Sequence, residues 1–162
     1  MLRHLLPFFV SLVCFVGAPS SRAADMEFVH VWPGWRDAES FDRIGEYFGG
    51  QENGGRETVL RTQPAARAGY YFLVRVKTAA AQPAAKFELS VIRPDHPEAK
   101  THSFPAALGA GEKVFQLGLT GADWPQGKEA HPVAWKIALL AADGRVLATH
   151  SSFLWEKPAR TP

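Results

Sequence analysis

The chain has 162 residues, of which 46% are hydrophobic and 21% charged, with a formal net charge of +2 and a single cysteine. That length suits one domain with a sizeable core. One cysteine excludes a disulfide-stapled scaffold, and the near-neutral balance excludes the basic stripe of a nucleic-acid binder.

Residues 1 to 23 read as an export leader and not as part of the fold. Arg3 and His4 precede an apolar run from Leu5 to Ala18, and Ser21-Arg22-Ala23 supplies the small residues of a cut after Ala23. The run is too short, and broken by Pro7, for a retained membrane span. Val13 stands before Cys14 where a lipidation site wants a small residue, so no lipid anchor is expected. Of the 18 Lys and Arg, Arg3 and Arg22 lie in the leader, which leaves 16 against 16 Asp and Glu. The expected mature chain, residues 24 to 162, is thus a neutral, cysteine-free domain in the periplasm or secreted, with no membrane span.

From its start, Asp25 to Arg36 opens with a short strand in which Phe28, His30 and Trp32 alternate with Val29 and Val31, and Pro33-Gly34 is expected to turn the chain. Asp37 to Phe48 has helical spacing, with Phe41, Ile44 and Phe48 on one face, Asp37 as cap and Gly49-Gly50 as stop. One short N-terminal helix, near Glu39 to Phe48, is expected to cap a side or end of a sheet. Gln51 to Gly55 is a polar turn, and Glu57 to Thr62 a modest strand. Gly69 to Thr78 is a stronger one: Tyr70, Phe72, Val74 and Val76 belong in the core, and Tyr71, Leu73, Arg75 and Lys77 on the other face. After an Ala/Pro link from Ala79 to Ala85, Lys86 to Arg93 presents Phe87, Leu89 and Val91. Pro94 to Pro97 breaks that run. A weak strand at Thr101 to Phe104, another at Lys113 to Thr120 with Phe115, Leu117 and Leu119 inward, and a long loop carrying Trp124-Pro125 follow.

The longest alternation closes the chain. Val133, Trp135, Ile137 and Leu139 share a face, and Asp143-Gly144 marks a turn into the return strand. A two-residue loop would pair Leu139 with Ala148 and Val133 with Leu154. A three-residue loop, Ala142-Asp143-Gly144 with Gly144 left-handed, pairs Leu139 with Leu147 and Val133 with Phe153, and is preferred because it keeps the apolar residues on one face. About eight strands without room for crossover helices predict an antiparallel β-sandwich. The segment from His131 to Trp155, with its aromatic strand, Asp-Gly turn and Ser-Phe-Leu-Trp return, resembles the closing strand pair of immunoglobulin-like modules of bacterial extracytoplasmic proteins. The resemblance implies an immunoglobulin-like sandwich and no activity, and the Cys-Trp-Cys framework of antibody domains is absent. The remainder resembles uncharacterised exported proteins.

No catalytic set assembles from the sequence. There is no Gly-x-Ser-x-Gly, no His-Glu-x-x-His and no phosphate loop after a strand; Ser151 and Ser152 beside His150 alternate faces. Asp95, His96, Glu98 and His102 are the best metal-like cluster, but a stiff Pro-bounded loop lacks the second segment a site needs, so no metal or cofactor is expected. The aromatic residues are more informative. Trp135 belongs to the core, whereas Trp32, Trp35 and Trp124 lie beside Pro or Gly, where flat rings stack on sugars or partners, with Arg36 and Asp37 as polar handles. The expectation is an exported non-catalytic binding or structural accessory module that recognises a glycan or an extracytoplasmic protein through Trp32, Trp35, Arg36, Asp37 and Trp124. The alternative is a hydrolase of polysaccharide or peptidoglycan that uses paired carboxylates from Asp37, Glu39, Asp42, Glu46, Asp123 and Glu129.

Overall fold

The computed structural model describes residues 26–42 and 57–156. The leader, the later part of the expected helix and the turn from Gln51 to Gly55 lie outside the described residues. Among the described residues eight strands form two four-stranded sheets: β1 (Met26–Arg36), β2 (Glu57–Arg61), β3 (Gly69–Thr78), β4 (Gln82–Arg93), β5 (His96–Leu108), β6 (Gly111–Thr120), β7 (Ala134–Leu140) and β8 (Val146–Ser151). The first sheet has the order β1-β3-β6-β2 and the second β5-β4-β7-β8. The two inner faces share one core, in which Phe72, Val74, Phe87, Leu89, Leu117, Ile137 and Leu139 are fully buried. Phe87 of the second sheet meets Phe115 of the first at 5.0 Å, and Phe72 meets a half-buried Trp135 at 5.4 Å. The period-two alternation read from the sequence is therefore the packing of a β-sandwich.

Several expected breaks are continuous strand. Pro33-Gly34 does not turn: β1 runs through it, with Pro33 opposite Phe72 and Gly34 opposite Tyr71. An edge strand has a partner on one side only, so it is the place in a sheet where a proline is tolerated. The same holds for Pro97 and Pro105 on edge strand β5. Between β4 and β5 the turn is only Pro94-Asp95, since Arg93 pairs with His96, and the expected weak strand at Thr101 to Phe104 is the middle of a thirteen-residue one. Pro83 and Ala84 of the expected link fall in an irregularity between Gln82 and Ala85.

One pair is not antiparallel. β2 runs parallel to β6, with Leu60 opposite Leu117. A parallel return requires a long crossover, and the chain between β1 and β2 supplies it. Residues 39–42 are helical, and Phe41, completely buried, sits at 4.9 Å from the Tyr71 ring. Tyr71 points away from the shared core, so the helix lies over the outer face of the first sheet, and Phe41, Val59 and Tyr71 form a second apolar cluster there.

The closing hairpin mixes the two expected registers. Gly144 N–H donates to the Ala141 carbonyl, Ala141 N–H donates to the Arg145 carbonyl, and Gly144 has φ +83°, which is the three-residue loop. A bulge between Leu139 and Leu140 then absorbs one residue, so that Leu139 faces Ala148 and Ile137 faces His150. Beyond the bulge the register is the one the two-residue loop would have imposed. The return strand ends at Ser151, where Ser152 pairs with the Trp135 backbone through both its N–H and its hydroxyl. Phe153 and Leu154 consequently lie in a helical turn, Phe153–Glu156, and stay exposed, as does Val133 before β7.

Candidate functional site

The register of the first sheet arranges its outward side chains in rows across the strands. Below a top row of Arg36, Gly69 and Thr120 come Gly34, Tyr71, Gly118 and Arg61; the next is Trp32, Leu73, Gln116 and Val59; then His30, Arg75, Val114 and Glu57; then Glu27, Lys77 and Glu112. Gly118 leaves room for Tyr71 to lie flat, since a Cβ there would overlap its ring. Its hydroxyl accepts from Arg61 Nε at 2.8 Å and donates to the Arg67 carbonyl at 2.5 Å. Phe41 rests on this ring and Arg61 lies over Phe41 at 4.6 Å, so the crossover covers the upper part of the face.

The part of the face around Trp32 remains open. Trp32 is 44% exposed and its ring stacks on His30 at 3.8 Å between centroids. The Arg75 guanidinium stands 5.6 Å from the same ring, and its Nε lies 3.3 Å from a Glu112 carboxylate oxygen. Arg75 and Glu112, with Lys113 and Val114, line a depression of about 440 Å³. An apolar ring, a donor fork and an acceptor carboxylate are thereby placed on one surface, which is the mixture a small polar ligand needs. Of the residues singled out by sequence, this surface includes only Trp32.

The others go elsewhere. Trp35 is opposite Tyr70 on the inward face of β1, packs against the core, and donates from Nε1 to Asp37 Oδ1 at 2.8 Å. Trp32 and Trp35 therefore point to opposite sides of one strand and do not form a joint platform. Arg36 is exposed on the side of Trp32 but four residues on, about 13 Å along the strand. Trp124, expected as a second platform, is only 3% exposed; its ring lies 4.7 Å from Tyr70 and its Nε1 donates to the Gly127 carbonyl at 3.2 Å. The loop after β6 folds this ring into the end of the sandwich, so Trp124 is a core plug. His131 completes the plug, 3.3 Å from the Tyr70 hydroxyl, and burial pushes the Tyr70 phenol above its ordinary value.

Three of the candidate carboxylates, Asp37, Asp42 and Asp123, are individually engaged, and Glu46 lies outside the described residues. Asp42 pairs with Arg67, and Asp37 accepts from Trp35. Asp123 accepts from Lys100 Nζ at 2.6 Å and lies 3.9 Å from His102 Nδ1, while Arg93 Nη1 donates to the Asp123 carbonyl at 3.0 Å. These contacts fasten the β4–β5 hairpin of the second sheet to the loop after β6 of the first. Burial lowers the His102 pKa below its ordinary value, against the pull of Asp123 and with the push of Lys100 and Arg93. Burial alone would raise the Asp123 pKa; hydrogen bonds from Lys100 and Thr62 and the nearby charges outweigh it, so the net direction is down. Asp95 is paired with Arg93 and His102 is turned to Asp123. Among the described residues no three His, Cys, Asp or Glu side chains are gathered as a metal site, and no helix is long and apolar enough to cross a membrane.

Comparison with known proteins finds no match to the chain among protein-family models, curated proteins or solved structures.

Proposed function

We propose that the chain is an exported, non-catalytic binding module that holds a glycan on the open outer face of its first sheet, with Trp32 as the platform. The observation that carries this reading is the exposed Trp32 ring, backed by His30 and flanked by the Arg75–Glu112 pair over a depression. Isolated exposed apolar residues need no explanation, but an aromatic ring beside a half-exposed guanidinium and carboxylate matches the surface of a sugar. Export is supported by the basic, apolar and small-residue order of residues 1 to 23.

An immunoglobulin-like assignment is supported by strand order. Constant-type immunoglobulin domains pair strands A-B-E-D on C-F-G, and variable-type ones add C′ beside C. Here β1-β3-β6 follows A-B-E, β4-β7-β8 follows C-F-G, and β5 takes the place of C′. β2 departs from that plan: it occupies the position of D but arises between A and B and runs parallel to its neighbour.

The test is a glycan array probed with residues 24–162 and with a Trp32→Ala variant. The reading expects a glycan signal that the variant loses while its unfolding midpoint stays in place. A folded variant with undiminished binding, or capture of an exported protein with no glycan signal, defeats it.

A further inference from the structure

Resting on that reading, we infer that the ligand is a neutral, gluco-configured pyranoside, held by Arg75 and Glu112 together as well as by Trp32. The inference comes from the charge arrangement of the face. Arg75 and Glu112 are 3.3 Å apart, so the pair presents a donor and an acceptor side by side with no net charge. Lys113, at the edge of the depression, turns its Nζ to the Ala107 carbonyl and over the core residue Phe115, and the next cation on the face, Lys77, is flanked in register by Glu27 on β1 and Glu112 on β6. Beyond them Glu57 is held by Gln116, whose Nε2 donates to it at 2.6 Å. A ligand carrying a carboxylate would gain from Arg75 and lose against Glu112, and these terms offset one another.

Hydroxyl groups fit the pair better than any ion does. A hydroxyl both donates and accepts, so two adjacent hydroxyls of a sugar can accept from the Arg75 guanidinium and donate to the Glu112 carboxylate. In the gluco configuration the ring hydroxyls are equatorial, which leaves the C–H faces of the ring free to lie on Trp32. His30 backs the tryptophan at 3.8 Å and holds its ring in place. Glu112 lies two strands across from Trp32 and two rows along, and Arg75 spans the gap, with its guanidinium at 5.6 Å from the ring and its Nε at 3.3 Å from the carboxylate, so the pair and the ring address one short saccharide. Arg75 and Glu112 are thus assigned as binding residues that determine specificity.

The experiment is calorimetric titration of residues 24–162 with soluble cello-oligosaccharides and fully N-acetylated chito-oligosaccharides and, in parallel, with oligogalacturonate and oligoalginate. Neutral oligosaccharides are expected to bind at least tenfold more tightly than the uronates. Glu112→Gln and Arg75→Gln should each weaken neutral binding about tenfold, as expected when one charge-assisted hydrogen bond is lost. Both side chains are about half exposed, and an unchanged unfolding midpoint shows that the variants fold. Uronates binding more tightly than the neutral sugars, with that binding lost in Trp32→Ala, overturns the neutral-sugar inference and leaves the Trp32 site standing. Neutral binding that is indifferent to Glu112→Gln and Arg75→Gln but lost in Trp32→Ala likewise removes the pair alone. Failure to bind any of the four ligands, or binding that persists in folded Trp32→Ala, overturns both.

Discussion

The outer face of the first sheet stands or falls with the packing of Tyr71 across Gly118, and that packing can be tested by adding one methyl group. A Cβ built on Gly118 would lie 2.7 Å from Tyr71 Cζ and 2.8 Å from Cδ1, and closer still to Cε1. Carbon atoms in contact settle at about 3.5–4.0 Å, so the ring must retreat by roughly 1 Å. It has little room: Tyr71 is 1% exposed, Phe41 lies on it, and its hydroxyl is tied to Arg61 and to the Arg67 carbonyl. Overpacking of this kind costs about 1–3 kcal/mol. Gly34, on the other side of the same tyrosine in the same row, has nothing within 4 Å of its added Cβ. Gly34→Ala should therefore be neutral or stabilising by up to about 1 kcal/mol, through the unfolded chain. Urea unfolding followed by circular dichroism decides, since the midpoint should fall for Gly118→Ala and hold or rise for Gly34→Ala at unchanged slope. On a Tyr71→Ala background the Gly118→Ala cost should largely disappear. Equal stability of the two single variants would refute the reasoning.

Four further outcomes are expected. Ile137→Ala, at a fully buried position of the core, should lower stability by about 2–5 kcal/mol in the same assay, and an unchanged midpoint would mean that the wrong face is inside. Trp124→Ala should cost about 3–5 kcal/mol because the plug is lost, whereas Trp32→Ala should cost about 1 kcal/mol or less, and acrylamide should quench Trp32 far more than Trp124. Acid should destabilise in two stages. Because the folded pKa of His102 is depressed, the unfolded chain takes up that proton first, so stability declines as the pH falls below the ordinary 6.5; the depressed Asp123 contributes stability above 3.8 that is lost as the pH falls through its folded value. His102→Gln should remove the upper stage and leave the lower one, and a stability profile identical to the parent's between pH 4 and 7 would exclude this role for His102. Mass spectrometry of the exported protein should find an N-terminus at Ala24, and an intact Met1 would refute cleavage.

The sequence by itself determined which side chains could be buried together. Alternation is a property of the strand alone, so Tyr70, Phe72, Val74 and Val76, Phe87, Leu89 and Val91, and Ile137 and Leu139 were legible as inward residues before any partner strand was known. The three-residue loop was legible too, because Gly144 is the residue that adopts a left-handed conformation without strain. Strand ends were less so. Proline is read as a breaker, but its effect depends on whether a strand is central or at an edge, and Pro33 lies on an edge strand. A bulge likewise leaves no mark in local composition, and one at Leu139 and Leu140 sufficed to change the facing residues of the last hairpin.

The candidate site was legible only in part for the same reason. The outward position of Arg75 follows from alternation within its own strand, but Trp32 shares its alternation with the inward Phe28 and is sent outward by the bulge between Phe28 and His30, and Glu112 joins them through register between β3 and β6, residues far apart in sequence. Trp35 and Trp124 look in sequence like Trp32, each beside a proline or glycine. Tertiary structure separates them, because one residue of offset sends Trp35 to the inner face, and the loop after β6 folds Trp124 under Tyr70. Local physics decides what a side chain can do; which side chains meet is decided by strand pairing, whose hydrogen bonds are between backbones and carry almost no trace in the residues that make them.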